Sequence, residues 1–206
     1  MCAIVTASVE GLAMVMVLQI CAELQIIVHR LHMVSQLQKK NKYESIIFHC
    51  ESRLVKDCVD NHIDTYILGE KLNESFGPII FVQFFASILG LCTVIYELSK
   101  LSMHNPSSLR LIVVLITALV QIFVYCFYGE KLMEQSISIA EEVYQMDWVE
   151  TTMKTKKNLT SIMIRAGKPI KLTGLSIIIM TIDTFVKIVK TAYSAYNLLT
   201  STRGIP

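Results

Sequence analysis

The chain has 206 residues, of which 53% are hydrophobic and 17% charged, and its mean hydropathy of +0.51 reflects more apolar mass than a soluble domain of this size normally buries, so a membrane is its natural solvent. A formal charge of +2 and a pI near 8.2 are too mild to draw nucleic acid, and no stretch interleaves basic residues with aromatics, so a nucleic-acid partner is excluded. The six cysteines, Cys2, Cys21, Cys50, Cys58, Cys92 and Cys126, hold no CxxC pair and mostly sit in or beside apolar runs as small hydrophobes, and His49, Cys50, Cys58 and His62 match no zinc spacing, so neither a metal nor a cofactor is expected.

A bilayer core about 30 Å thick needs about 20 largely apolar residues in helix, and four runs of that length predict an all-α, polytopic membrane bundle of four transmembrane helices. The first, about 11–31, is interrupted by Gln19, Glu23 and Gln25. The second, about 76–99, carries no charge before Glu97, and the third, about 109–128, none after Arg110. The fourth, about 172–199, is long enough to cross but holds Asp183, Lys187 and Lys190. The N-terminus lacks the basic region of a signal peptide, and the chain reads as a truncated piece of a larger membrane protein.

Two long polar segments, 30–75 and 129–171, and one short turn with Asn105-Pro106 separate these runs. Arg30, Lys39, Lys40, Lys42, Arg53, Lys56 and Lys71 lie in the first long segment, and Lys131, Lys154, Lys156, Lys157, Arg165, Lys168 and Lys171 in the second. Lys100 and Arg110 flank the short turn and Arg203 stands near the C-terminus. The positive-inside rule then puts both long segments in the cytoplasm and the C-terminus outside, where Asn73 and Asn158, although in N-glycosylation sequons, stay bare. Both long segments are poor in Pro and Gly, and Ile137, Ala140, Val143, Tyr144 and Trp148 recur at helical spacing. They read as cytoplasmic extensions of the spans rather than linkers, an amphipathic helix on the inner leaflet being the alternative.

Three stretches resemble the insect odorant receptor family. The first runs from Cys58-Val-Asp-Asn-His-Ile-Asp through Leu72-Asn-Glu-Ser-Phe to Gln83-Phe-Phe-Ala-Ser and Leu91-Cys. The second is Tyr125-Cys-Phe-Tyr-Gly-Glu followed by Trp148, and the third is Ile162-Met-Ile-Arg-Ala-Gly-Lys-Pro, Phe185, Ile188 and Lys190-Thr-Ala-Tyr-Ser-Ala-Tyr-Asn-Leu-Leu. The resemblance implies the last four of seven helices, with the C-terminus outside, as the lysine distribution says independently. It further implies a ligand-gated, non-selective cation channel in the plasma membrane, in which a receptor subunit joins an olfactory co-receptor in a hetero-tetramer. Its cytoplasmic extensions (about 129–171) would anchor the subunits, with Tyr144, Trp148, Ile162, Arg165 and Pro169 as candidates, and its seventh helix would line the pore.

Only the fourth run carries several charges in its interior, and ionisable residues in a bilayer face water or a partner. Asp183 and Lys187, four apart, meet on one face as a neutralised pair or serve the ion path, while Lys190 snorkels outward. Thr184, Ile188 and Thr191 occupy the next face, where a ring of Ile188 closes a pore by dewetting. By the same resemblance the odorant lies in the outer half of the bundle. Depth and spacing select Val9, Leu12, Met16, Ile112, Ile116 and Thr117, an apolar wall suited to a volatile hydrophobic odorant. Gly167-Lys168-Pro169 breaks the last cytoplasmic helix. Competing readings are a G-protein-coupled chemoreceptor, against which the orientation argues, and a non-functional four-helix fragment. A membrane enzyme finds no HExxH, GxSxG or phosphate loop to support it. The 206-residue chain is expected to give no odorant-evoked current beside the co-receptor, whereas a full-length parent does; a normal dose response from the short form would refute this.

Overall fold

In the computed structural model the described residues are 2–40, 45–100, 106–146, 151–175 and 177–201. They form α1 (Cys2–Lys40), α2 (Ser45–Lys100), α3 (Pro106–Gln145), α4 (Met153–Ala166), a two-stranded hairpin of β1 (Thr173–Gly174) and β2 (Ile178–Ile179), and α5 (Ile182–Ser201). The chain divides into two compact units, Met1–Leu72 with Lys131–Leu172, and Asn73–Glu130 with Thr173–Pro206.

The helical stretches Ala7–Val34, Glu51–Leu98 and Ser108–Gln145 are long and apolar enough to cross a membrane. The second has 48 residues, roughly 72 Å of helix, so less than half of it fits within hydrocarbon. Glu51, Arg53, Lys56, Asp57, Asp60, Asp64, Glu70, Lys71 and Glu74 crowd its first half, which therefore stands outside the bilayer.

In the first unit α1 buries Ala13, Val17, Ile20, Leu24, Ile27, Leu31 and Val34, alternating steps of four and three that keep one apolar seam turned inward. The unit also buries residues of α2 (Val55, Cys58, Leu72), α3 (Leu132, Ile139, Val143) and α4 (Leu159, Ile162, Ala166). The Thr65 hydroxyl on α2 donates to Asn61 O at 2.7 Å and lies 3.2 Å from Glu23 Oε2, so Glu23 on α1 is level with Thr65 on α2. The lower half of the 11–31 run is thus level with the polar half of α2, and its hydrophobicity serves the core of this unit. In this unit the buried face of α3 is Leu132, Ser136, Ile139 and Val143, with buried Met146 just past its end. Val143 belongs to it as the sequence spacing indicates, whereas Ile137 and Tyr144 are exposed, one position round the helix from the buried stripe.

α4 is capped by Thr152, whose side-chain oxygen accepts from the Thr155 N–H at 3.2 Å, satisfying one of the first-turn donors. Its end needs nothing special of glycine, because Gly167 has φ −62° and ψ −13°, ordinary right-handed backbone. Pro169, which has no N–H to donate, is the stop.

The segment after Pro169 departs from the expected helix over 172–199. Thr173 and Gly174 pair antiparallel with Ile179 and Ile178, and α5 starts only at Ile182. Gly174 and the β-branched Ile177-Ile178-Ile179 run disfavour helix. The Thr173 N–H is taken by Asn73 Oδ1 at 2.9 Å. Leu175 turns the hairpin at φ 51°, a left-handed conformation that costs a side chain of this size about 1–2 kcal/mol.

In the first unit the start of this segment is tied down by a buried hydroxyl. Ser136 on α3 shares a hydrogen bond of 2.8 Å with the Tyr66 hydroxyl and accepts the Ile170 N–H at 3.0 Å. Arg165 lies over the Tyr66 ring at 4.8 Å and pairs with Glu70 at 3.0 Å. Replacing Ser136 by Ala strands a buried phenol and a buried N–H, at a cost of about 1–3 kcal/mol. A thermal melt in detergent should show a lowered midpoint for Ser136→Ala and an unchanged one for Ser138→Ala, whose exposed hydroxyl bonds only Gln135 O.

Candidate functional site

α5 is 20 residues long and carries three charges, Asp183, Lys187 and Lys190, so it is less apolar than the three spans above. Its N-terminus is built by Thr181. The Thr181 hydroxyl oxygen accepts from the Thr184 N–H at 3.3 Å, and the Thr184 hydroxyl donates back to Ile179 O at 2.8 Å. Asp183 in the first turn complements the positive end of the helix dipole.

The burial pattern divides α5 into three stripes. Phe185, Ile188 and Ala192 turn into the second unit, Phe185 meeting Phe123 edge-on at 5.5 Å and Ile188 only 8% exposed. A second stripe, Ile182, Val186, Val189 and Tyr193, is apolar and open, Val186 at 41% and Val189 at 39%. The third, Asp183, Lys187, Lys190 and Asn197, is polar and exposed. Of the pore candidates, Asp183, Lys187 and Thr191 are therefore exposed, Thr184 is half-buried in its cap, and Ile188 is a packing residue within its own chain. The open apolar stripe was missed, although the four-three-four spacing of Ile182, Val186, Val189 and Tyr193 was available to find it.

The pocket candidates fall three in each unit. Met16 stands seven residues above Glu23 and so, by helix rise, comes level with Leu72 on α2, still within its polar half. Leu12 is exposed, and Val9 and Met16 are half-buried. On α3, Ile112 is half-buried and Ile116 and Thr117 are exposed, the Thr117 hydroxyl being returned to Val114 O at 2.8 Å.

Among the anchor candidates Ile162 is buried, Arg165 holds Tyr66 and Glu70, Pro169 is half-buried, and Tyr144 is exposed. Trp148 lies outside the described residues. The sequence did not bring together His62, Tyr66 and Ser136, which are buried and in contact. Among the described residues no three His, Cys, Asp or Glu are grouped to hold a metal; the side chains of His49 and Cys50 lie outside them.

Long apolar helices joined by polar helical extensions define a multi-pass membrane protein. The chain belongs to the odorant receptor family: the family model described as 7tm Odorant receptor matches residues 1–193. It is 29% identical over 142 residues to Drosophila melanogaster Odorant receptor 45a, covering 68% of this chain and 37% of that protein. It is 25% identical over 193 residues to Odorant receptor 9a of the same fly, covering 94% and 46%, and 23% identical over 145 residues to the Aedes aegypti Odorant receptor coreceptor, covering 70% and 30%. The structure of the olfactory receptor OR5 from Machilis hrabei in complex with eugenol has the same fold, with a TM-score of 0.67 at 17% identity, covering 88% of this chain and 46% of that one. The chain thus spans less than half the length of these relatives.

His62 gives the core of the first unit a measurable acid limit. Its side chain is buried and its Nε2 has no hydrogen-bond partner. Burial, with the Arg165 guanidinium adding to it, pushes the imidazole down from 6.5 to about 4. The unfolded chain then binds the extra proton between these values, so the stability that neutral His62 contributes is present above pH 6.5 and lost as pH falls towards 4. At pH 5 the loss amounts to about 2 kcal/mol. Unfolding midpoints at pH 7 and pH 5 should differ more in the parent chain than in His62→Leu, and equal differences would remove the assignment.

Proposed function

We propose that this chain is the channel-forming portion of an odorant receptor subunit, a ligand-gated, non-selective cation channel that assembles with an olfactory co-receptor into a hetero-tetramer and opens to volatile hydrophobic odorants. The observation that carries the reading is the face of α5 turned away from its own unit. Ile182, Val186, Val189 and Tyr193 stay open beside a polar stripe of Asp183, Lys187 and Lys190. Four such helices around an axis supply an apolar constriction that closes by dewetting, with hydrophilic groups beside it. The burial of Ile188 moves the proposed ring from Ile188 to Val186 and Val189. Asp183, Lys187 and Thr191 then flank the path, and Thr184 holds the helix start.

The lysine-rich segments are assigned to the cytoplasm and the C-terminus to the outside, in the plasma membrane, with α5 as the fourth crossing. Because Glu23 is level with Thr65 in the polar half of α2, we assign less of α1 to hydrocarbon than 11–31, which weakens the claim of Val9, Leu12 and Met16 to a pocket. Ile112, Ile116 and Thr117 on α3 are the stronger pocket candidates. Tyr144, exposed on the anchor, is offered to a neighbouring subunit, while Ile162, Arg165 and Pro169 shape the anchor from within. The named relatives support this reading, one being itself a coreceptor and one solved with eugenol.

The test is thiol labelling. Assemblies of this chain with the co-receptor, each carrying one of Val186→Cys, Val189→Cys or Ile188→Cys, are exposed to a cationic, membrane-impermeant thiol reagent and the adduct is read by mass. Water-lined positions should react roughly tenfold or more faster than packed ones, because only the thiolate attacks. Ile188→Cys labelling as fast as Val186→Cys would overturn the proposed pore face.

A further inference from the structure

The Tyr125-Cys-Phe-Tyr-Gly-Glu run ends in two residues, Gly129 and Glu130, that the reading above does not use. Glycine inside a 40-residue helix is unfavourable by about 0.5–1 kcal/mol relative to alanine, so something must require it. A side chain at Gly129 would collide with the carbonyl oxygen of Met180, a residue completely buried. Two residues further along, the Ile182 N–H donates to Glu130 Oε2 at 3.2 Å.

The first N–H groups of any helix lack partners within it. In α5 Thr181 satisfies that of Thr184, and Glu130 reaches across from α3 to satisfy that of Ile182. The carboxylate also faces the positive end of the helix dipole, where a negative charge is favoured. The chain is therefore held on both sides of Thr181: the Met180 carbonyl before it lies against bare backbone at Gly129, and the Ile182 N–H after it is held by the Glu130 carboxylate. Adjacent positions of α3 supply the clearance and the grip.

We propose that Gly129 and Glu130 form the seat that fixes where α5 begins, and that Glu130 is a positioning residue for the ion path. The second half of this statement rests on α5 lining that path. Any change of state that moves the lower end of α5 must then either carry α3 with it or break the Glu130 contact.

Hydrogen exchange read by mass spectrometry on the whole chain in lipid nanodiscs tests the seat. Glu130→Ala leaves the Ile182 N–H without its acceptor, and the amides of 182–184 should exchange about tenfold faster, the scale expected for losing a bond to a charged group. Glu130→Gln, whose amide oxygen still accepts, should remain close to the parent, and the amides of 110–125 should not change in either variant. Gly129→Ala should speed the same 182–184 amides by displacing Met180. Exchange in Glu130→Ala within about twofold of the parent, or Glu130→Gln as fast as Glu130→Ala, would overturn the seat. Failure of the pore assignment would appear instead in the thiol labelling and leave these rates as stated.

Discussion

Irregular backbone folded against a protein survives only if its buried polar groups find partners, and the stretch between α4 and α5 lives under that constraint. Ile170 gives its N–H to Ser136, Thr173 to Asn73 and Ile182 to Glu130, while the hairpin pairs Thr173 with Ile179. Each acceptor is a side chain on α2 or α3. The long helices thus serve as partners for a segment that cannot satisfy itself, and α5 starts where that supply allows.

This division of labour accounts for how α5 distributes its residues. On the proposed reading α5 contacts its own subunit, an aqueous path and its neighbours, and its 20 residues leave each surface one stripe. Phe185, Ile188 and Ala192 provide packing; the valines and Tyr193 provide an open apolar surface; the charges keep a third side wet. The three charges inside this run, Asp183, Lys187 and Lys190, are confined to one stripe of the helix.

Much of the fold was legible because length and hydropathy decide it. The two cleanest runs became the apolar halves of α2 and α3, and the described parts of the polar segments are helical as far as Ala166. The sequence alone did not separate hydrophobicity meant for lipid from hydrophobicity meant for protein. The 20–34 part of α1 is as greasy as a span, yet its seam faces a protein core beside the charged half of α2. The start of α5 was missed for a similar reason, since Ile177-Ile178-Ile179 reads equally as span or strand until Asn73 is known to take the Thr173 N–H. Facing was misjudged by one position on α3, where Ser136 replaces Ile137 in the buried stripe: a polar residue at the centre of a core is invisible until its two partners, Tyr66 and Ile170, are seen.

The alternating four-three steps from Ala13 to Val34 have a geometric outcome of their own. A straight α-helix repeats every 3.6 residues, and a seam of period 3.5 drifts by about 20° per seven residues relative to it. Over three such repeats the accumulated rotation, about 60°, would carry one end of the seam off its partners if α1 stayed straight. The helix must therefore wind gently left-handed around the rest of its unit, so that inserting or deleting one residue between Ala13 and Val34 would unscrew everything beyond it.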